Sequence, residues 1–576
     1  MGCLQKLGTV NVLAKPTRDT LDSKLPKLIQ ALRNYSLQTF SHDLVAGVTV
    51  GLVALPLAMA FSISSGMSPQ AGIYTAIVAG FIASALGGSQ AQISGPTGAF
   101  VVVVAGIVAK FGVSGLFVCT LMAGVMLVAL GATGLGSAVK FIPRPVVVGF
   151  TNGIALLIAS TQVKDFLGLQ IDKVPGDFLG RGAAIGRAIG TISPAATALA
   201  GVALLTLILF RKFAPKIPGA IVVLVVGTAA ASLLHLPIET IQSKFHGIPR
   251  GLPGFSFPSV SMATVQALLS PAITVAMLGA IESLMSAVVS DRMMKDKHNP
   301  NVELIAQGLA NIASPLFGGL PATGAIARTA TNIRSGAKTP VAGIIHAITL
   351  VVILLVAAPL ANLIPLSLLA AILMMVAYNM GEWAEIPQIL RLAAADIAVW
   401  GVTFALTVFA DLTVAVQTGM ILAALVYITK VTRTTTVSKV TDDYLTDGHD
   451  HNLLFHELPM GVAIFRIHGP FLFGSTDKIA EITDEMDSLP PVVIIRLRNM
   501  TAIDATGIQA LEEMTRDLVS GGRHVLFCGM REQPEKLMRK SGFEHHVGEE
   551  NCCANVKVAL SRAEEILNGS TGALAL

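Results

Sequence analysis

Two stretches of the chain share residue types that could bind an anion. Residues 93–100 read ISGPTGAF and residues 320–327 read LPATGAIA, so that in each a proline leads into Thr-Gly-Ala. Proline suits the first turn of a helix, where its missing N–H is no loss, and glycine lets the backbone approach a ligand closely. A helix that begins inside a membrane leaves its first N–H groups unpaired, and these groups and the helix dipole favour an anion. Two such helix starts that face each other would form one anion site.

The shared pattern also has a simpler interpretation. Glycine and proline are more frequent in membrane helices than in soluble ones, so the likeness alone decides little. The short length of both segments, their matching places in the chain and the charges nearby favour the anion site.

A single arginine, Arg328, follows the second stretch directly. An arginine at the centre of a membrane costs about 2.5–3.5 kcal/mol on insertion scales, so it usually faces a cavity or a partner. We predict that Arg328 neutralises the bound anion. The alternative is that Arg328 caps a helix end at the cytoplasmic surface, beside Arg334 and Lys338.

A single carboxylate, Glu282, lies within the apolar segment 270–289. An isolated carboxyl group in such a place can hold a proton at neutral pH, because burial disfavours its charged form, whereas a nearby arginine would favour ionisation. We predict that Glu282 is a proton-coupling or ion-coupling carboxylate, and the alternative is a structural ion pair with Arg328. Helical spacing places six residues on one small and polar face, namely Ala276, Gly279, Glu282, Ser283, Ser286 and Ser290.

A lone histidine, His346, lies in the apolar stretch GIIHAITL. For this residue, packing in the core or a hydrogen bond between helices is favoured over a role in proton relay.

The composition is that of a polytopic membrane protein. The chain has 576 residues, of which 53% are hydrophobic and only 13% are charged, whereas a soluble domain carries about 25% charged residues. The net charge of +4 does not suggest a nucleic-acid partner. The five cysteines form no C-x-x-C pair, and neither a metal site nor a cofactor is expected.

Apolar segments alternate with short polar breaks over most of the chain. The third and tenth are among the shortest, and each falls below the roughly 20 residues that cross a bilayer. Because each is third in a set of seven, the two halves are predicted to be inverted repeats with the binding site at their interface. The fourteen segments cover residues 45–64, 69–87, 96–110, 114–135, 145–162, 191–210, 217–234, 264–290, 302–318, 322–333, 340–361, 364–380, 393–410 and 412–429.

Charge and periodicity divide the chain into four parts. Residues 1–43 are predicted to be a cytoplasmic N-terminal segment, 44–430 the transmembrane domain, 431–455 a linker and 456–570 a soluble domain in which strands alternate with helices. The loops on the side of the two termini are richer in lysine and arginine, so both termini are expected in the cytoplasm.

Four stretches, with the tail, resemble the sulfate permease (SulP) family of anion transporters. They are LVALPLAMAFSISSGMSPQAGIYTA, GGSQAQISGPTGAF, LGAIESLMSAV and FGGLPATGAIARTATNIRSGAKTP, in this order. The tail sequence NMTAIDATG, residues 499–507, is similar to the STAS domain that follows the membrane domain in this family. The resemblance implies fourteen segments as a 7+7 inverted repeat with core and gate domains, a C-terminal α/β STAS domain and a homodimer.

The resemblance also implies the site residues. Glu282 would be the proton-coupling group. In the STAS tail, Ala505 stands at the position that is phosphorylated in related proteins, which leaves Thr506 as a substitute, while assembly or a regulatory partner is the preferred role. The substrate would contact Phe61, Pro96, Thr97, Gly98, Ala325, Ile326 and Arg328.

The expected function is proton-coupled symport of sulfate or a C4-dicarboxylate by alternating access, in the cell inner membrane and without enzymatic activity. The motifs most resemble the bacterial branch that carries dicarboxylates, and sodium is a less favoured coupling ion than the proton. Transport or exchange of bicarbonate or another anion is the alternative. A nucleobase–proton symporter and an anion channel are less favoured, because Arg328 and the STAS tail argue against the former.

Overall fold

The chain forms two compact units, Met1–Ile421 and Leu422–Leu576. The structure is a computed structural model and describes residues 25–136, 143–171, 174–214, 219–245, 247, 251, 254–258, 262–410, 412–440, 459–484 and 486–572. Each unit has its own apolar core.

The first unit is helical, as its composition predicted. A short helix, α1, precedes the first half, and the last helix, α18, extends into the second unit. The helices are α1 (Lys27–Leu32), α2 (Leu37–Ser64), α3 (Pro69–Leu86), α4 (Gly98–Ala132), α5 (Arg144–Leu167), α6 (Phe178–Ala188), α7 (Pro194–Phe213), α8 (Gly219–Leu233), α9 (Ile241–Phe245), α10 (Met262–Met294), α11 (Pro300–Leu316), α12 (Ile326–Arg334), α13 (Val341–Val356), α14 (Ala358–Ala361), α15 (Leu366–Met380), α16 (Ile386–Ile389), α17 (Ala394–Phe409) and α18 (Leu412–Arg433).

The fourteen predicted segments are confirmed. Thirteen helices carry them, because α4 holds two segments that meet at Gly112, whose φ of 70° breaks the helix. Eight helices of the described residues are long and apolar enough to cross a membrane on their own. The third and tenth segments begin as helices at Gly98 and Ile326, each separated by one or two residues from the end of a two-residue strand, so both helices start within the protein.

Helices of the two halves pack against each other through glycines. A Cβ added at Gly124 of α4 would lie 2.7 Å from the carbonyl oxygen of Gly308 in α11, and one added at Gly308 would lie 2.6 Å from the carbonyl oxygen of Gly124. Only residues without a side chain permit this approach. α4 and α11 are thereby held in direct backbone contact.

The N-terminal part is fixed to the same helices. Asp43, the last residue of the predicted cytoplasmic segment, is fully buried inside α2. Its carboxylate accepts hydrogen bonds from the amides of Lys338 and Thr339 at 2.7 and 3.1 Å, from the Thr339 hydroxyl at 2.6 Å and from the Tyr35 hydroxyl at 3.1 Å. The helix therefore begins before the predicted boundary at residue 44, because this buried carboxylate lies on its second turn.

The second unit is the predicted α/β domain. Its strands are β3 (Thr436–Lys439), β4 (Val462–Phe471), β5 (Val492–Arg496), β6 (Met500–Ile503), β7 (His524–Cys528) and β8 (Cys552–Cys553). The order is β3-β4-β5-β7-β8, with β6 also paired to β4, and only β3 runs antiparallel to its neighbour. Its helices are α19 (Ala480–Thr483), α20 (Ala505–Ser520), α21 (Glu532–Ser541), α22 (Phe543–Val547) and α23 (Val556–Gly572).

The predicted linker, residues 431–455, is wrong in its first part, which contains the end of α18 and strand β3. α18 continues to Arg433, and Thr436–Lys439 pair with residues 465–468 of β4. Val437 is buried in the apolar cluster of the domain. The sheet therefore begins before residue 456. The sequence analysis missed this strand because a four-residue edge strand gives little periodic signal. Residues 441–455 lie outside the described residues.

Candidate functional site

The two Pro-Thr-Gly-Ala stretches meet in the first unit. β1 (Ser94–Gly95) and β2 (Thr323–Gly324) pair antiparallel, with Ser94 opposite Gly324 and Gly95 opposite Thr323. The Ala325 amide donates a hydrogen bond of 2.8 Å to the Ile93 carbonyl oxygen. The helices α4 and α12 both start from this crossing point, so their N-terminal N–H groups lie in one region of the protein.

The polar face of α10 holds the crossing strands. The Ser283 and Thr323 hydroxyls lie 2.8 Å apart, and the Gly324 amide donates a hydrogen bond of 3.1 Å to Ser283 Oγ. The Ser286 and Thr329 hydroxyls lie 3.0 Å apart. The predicted stripe of small and polar residues thus faces inward, but its serines bind the backbone and side chains of the crossing segments.

Two amides of α11 support the same crossing, and the sequence analysis missed them. Asn311 and the backbone of Ala322 exchange two hydrogen bonds, each of 2.8 Å. Gln307 Nε2 donates to Ser94 Oγ at 2.5 Å. The signal available in the sequence is their spacing of four residues, which places both amides on one face of the helix together with Glu303.

Glu282 lies at the crossing point. The Thr97 hydroxyl donates a hydrogen bond of 2.9 Å to Glu282 Oε2. Thr97 is the residue before the first turn of α4, so the carboxyl group of one half contacts the helix start of the other half.

Arg328 also joins the two halves. Its Nη2 donates to the Pro96 carbonyl oxygen, whereas Nη1 is buried and has no hydrogen-bond partner among the described residues. Only 3% of the residue is exposed, which argues against a cap at the cytoplasmic surface. Arg328 and Glu282 are near enough to interact electrostatically, yet the described residues contain no direct ion pair between them.

These groups surround one cavity of about 390 Å³. Pro96 is the only predicted site residue that does not line it, because its carbonyl group contacts Arg328 instead. The wall that carries the predicted residues comes from α2, α4, α10 and the start of α12. The lining residues of this wall include Phe61, Thr97, Gly98, Glu282, Ala325, Ile326 and Arg328.

The opposite wall was not predicted from the sequence. It is formed by α5, α15 and α18, and most of its side chains are apolar. Its polar exceptions are Thr151, Asn379 and Glu382. Asn379 accepts a hydrogen bond from Arg211, and Arg144 forms an ion pair of 2.6 Å with Glu385, beside Glu382.

His346 packs in the interior of the first unit. It is fully buried, and neither ring nitrogen has a hydrogen-bond partner among the described residues. The expected packing role agrees with this position, whereas the expected hydrogen bond between helices is not present there.

The tail stretch NMTAIDATG forms strand β6 and the start of α20. Asp504 caps that helix: its Oδ1 accepts a hydrogen bond of 2.8 Å from the Gly507 amide, and its Oδ2 accepts one of 3.1 Å from the Phe473 amide. Thr506 is exposed. Phosphorylation of Thr506 stays a prediction.

The cysteines of the second unit are free thiols. Burial raises the pKa of Cys528 to about 12 and that of Cys552 to about 11, where nearby glutamates contribute as well. Protonated thiols are poor nucleophiles and poor metal ligands. Within the described ranges no group of three or more histidine, cysteine or acidic side chains could hold a metal ion.

Comparison with known proteins identifies both units. The sulfate permease family matches residues 40–403, and the STAS domain family matches residues 457–559. YvdB of Bacillus subtilis, named as a candidate sulfate transporter, is 40% identical over 522 residues, or 90% of this chain and 97% of YvdB. The bicarbonate transporter BicA of Picosynechococcus sp. is 31% identical over 550 residues, or 93% of this chain and 96% of BicA.

Two solved structures share the fold. The transmembrane domain of a cyanobacterial BicA is 32% identical and aligns with a TM-score of 0.58 over 68% of this chain and 98% of that one. The anion transporter murine Solute Carrier 26 family member A9 aligns with a TM-score of 0.84 over 97% of both chains, at 18% identity.

Proposed function

The chain belongs to the sulfate permease family of anion transporters, as its motifs predicted, and from this premise we propose that it couples the uptake of a small anion to protons by alternating access. The observation that carries the proposal is the crossing point. Two helix starts, Arg328 and Glu282 meet there at one cavity. Each half of the fold provides one of the helix starts, and the contacts of Arg328 and Glu282 join the two halves.

The anion would be held by the helix starts and by Arg328. A helix N-terminus carries about half a positive charge and presents free N–H donors. The guanidinium adds a full charge in a buried place, where an electrostatic interaction is stronger than in water. Thr97, Gly98, Ala325 and Ile326 contribute the backbone of the two helix starts.

Glu282 would carry the proton. When Glu282 is ionised, it opposes an anion that binds to the nearby Arg328; when Glu282 is protonated, this repulsion disappears. Protonation therefore strengthens anion binding, and by linkage the anion strengthens proton binding to the same degree. Such reciprocal coupling is what symport of a proton and an anion requires.

Accumulation of a labelled anion in proteoliposomes tests the coupling. An inward proton gradient should drive uptake by the unaltered chain, and Glu282→Gln should bind the anion with little pH dependence but no longer concentrate it. Glu239→Gln is the matched control, because the side chain of Glu239 is 67% exposed and lies away from the cavity. Accumulation by Glu282→Gln that still follows the pH gradient would refute the proton role.

The substrate is proposed from the resemblance and from the relatives. Sulfate and a C4-dicarboxylate are the first candidates, and the BicA relatives make bicarbonate the alternative. Competition by sulfate, succinate, fumarate and bicarbonate against a labelled anion, with and without a pH gradient, ranks them.

The membrane and the assembly follow from the same resemblance. We expect a homodimer in the cell inner membrane with both termini and the STAS domain in the cytoplasm. Light scattering of the purified chain measures the oligomeric state, and protease access to the tail in oriented vesicles measures its side.

A further inference from the structure

We propose that the substrate is an organic monoanion, with one carboxylate held at the crossing point and an apolar carbon chain against the opposite wall. This inference rests on the proposed function and replaces its substrate candidates, sulfate, a C4-dicarboxylate and bicarbonate, with another class of anion. It concerns the far side of the cavity, whose apolar side chains have no role in the binding of a charged head group.

The lining of the cavity is mostly apolar. Thirteen of the 23 lining residues have large apolar side chains, from valine to phenylalanine. On the wall formed by α5, α15 and α18 these include Val376, Met380, Val416 and Met420. Met380 lies beside the start of α4, because its sulfur would be 3.3 Å from a Cβ added at Gly98. These four side chains offer no hydrogen bonds to a hydrated oxyanion, whereas they stabilise methylene groups that leave water.

The size of the cavity agrees with a longer substrate. Its volume of about 390 Å³ is roughly ten times the share of one water molecule in the liquid, about 30 Å³, and falls in the range of small-molecule sites. A small inorganic oxyanion at the helix starts would leave most of the apolar wall without contact.

The charges around the cavity favour a single negative charge. Arg328 and the two helix starts, at about half a charge each, face two carboxyl groups of the lining, Glu282 and Glu382. A proton on Glu282 and one negative charge on the substrate restore the balance. A second substrate carboxylate directed away from Arg328 would meet apolar side chains and the carboxyl group of Glu382, which also interacts with Arg144.

Calorimetry on the full purified chain in detergent tests the inference without transport. The probes are acetate, propionate, butyrate, pentanoate and hexanoate, with succinate, sulfate and bicarbonate as comparators. Affinity should rise roughly fourfold per methylene until the cavity is full, which corresponds to about 0.8 kcal/mol per buried CH₂. Butyrate should bind at least about tenfold more tightly than succinate, which has the same number of carbons, because the second charge must lose its water.

Variants of the apolar wall show where the chain binds. Val376→Thr with Val416→Thr should reduce the gain per methylene while acetate binding stays the same, because acetate does not reach the wall. Val402→Thr is the control, since Val402 is in α17 outside the cavity lining and is 37% exposed. The series on the unaltered chain decides the question even where the double variant does not fold.

The failures of the two proposals are distinguishable. Equal affinity across the carboxylate series, or tighter binding of sulfate, bicarbonate or succinate than of butyrate, overturns the monoanion inference, and proton-driven uptake can still hold. Absence of proton-driven uptake for every anion that binds overturns the transport proposal, whatever the chain-length series gives.

Discussion

Arg328 and Glu282 have different surroundings at the same crossing point. Arg328 contacts the backbone of the other half through Pro96, whereas Glu282 contacts the hydroxyl of Thr97. Because no ion pair joins them among the described residues, each charge stays available to a ligand.

Removal of the Arg328 charge should weaken anion binding. A hydrogen bond to a charged group contributes about 1.5–3 kcal/mol, so Arg328→Gln should lower affinity at least about tenfold, and Arg328→Lys should be intermediate because it keeps the charge and loses the planar fork. Calorimetric titration with the best-binding anion measures both.

The control for this prediction is Arg334→Gln. Arg334 lies in the last turn of the same helix and is exposed. Unchanged affinity in Arg328→Gln, or an equal loss in Arg334→Gln, would remove Arg328 from the site.

Residue types predicted the wall of the cavity that carries Glu282 and Arg328, but not the side chains that hold this wall in place. A buried charge is unusual in a membrane helix, and the Pro-Thr-Gly-Ala pattern occurs in two short segments at matching places, so Pro96, Gly98, Glu282 and Arg328 were identifiable. Asn311 is different: its partner, the backbone of Ala322, lies in an irregular segment, and one sequence contains no sign of that pairing. Which partner a backbone N–H or C=O group finds elsewhere in the fold depends on the tertiary structure.

At the scale of elements, the contact between α4 and α11 determines how rigidly the crossing strands are held. α4 provides one helix start, and α11 carries the amides that bind both strands. The mutual contact of Gly124 and Gly308 leaves no space for even a methyl group.

Gly308→Ala should therefore destabilise the chain. The new Cβ would lie 2.6 Å from a backbone oxygen that cannot rotate away, and overpacking of this kind costs about 1–3 kcal/mol. Thermal unfolding of the purified chain should show a lower midpoint.

Gly106→Ala is the control on helix α4. A Cβ there meets no atom within 4 Å, and alanine favours the helix over glycine. An unchanged midpoint for Gly308→Ala would mean that the two helices can move apart without loss, which contradicts close packing as the function of these glycines.

The element pattern was predictable in the membrane and less so in the tail. Apolar stretches between polar breaks identified all fourteen segments, although the third and tenth are shorter than the roughly 20 residues that cross a bilayer. The break at Gly112 falls between the predicted segments 96–110 and 114–135. The edge strand β3 was not predicted, since a four-residue strand leaves no periodic trace.

At the scale of the whole molecule, the chain joins a membrane unit to a soluble one with a separate core. The second unit has apolar clusters on both faces of its sheet. A domain of this kind can fold alone when its sheet is complete.

Strand β3 should be needed for the second unit to fold alone. A fragment of residues 434–572 should unfold at a higher temperature than one of residues 456–572, because the shorter fragment loses Val437 and Val440 from the core and leaves one edge of β4 unpaired. Circular dichroism on heating compares them. Equal midpoints would show that the domain begins at β4, as the sequence predicted.

The two-residue ladder between β1 and β2 has a consequence for biosynthesis. The Ile93 amide donates to the Thr329 hydroxyl, 236 residues further along the chain. At about 5–20 residues per second, the ribosome needs roughly 10 to 50 s to deliver that partner. During this interval β1 and the Ile93 amide have no partners from the second half, so the crossing point is incomplete until the second half has been made.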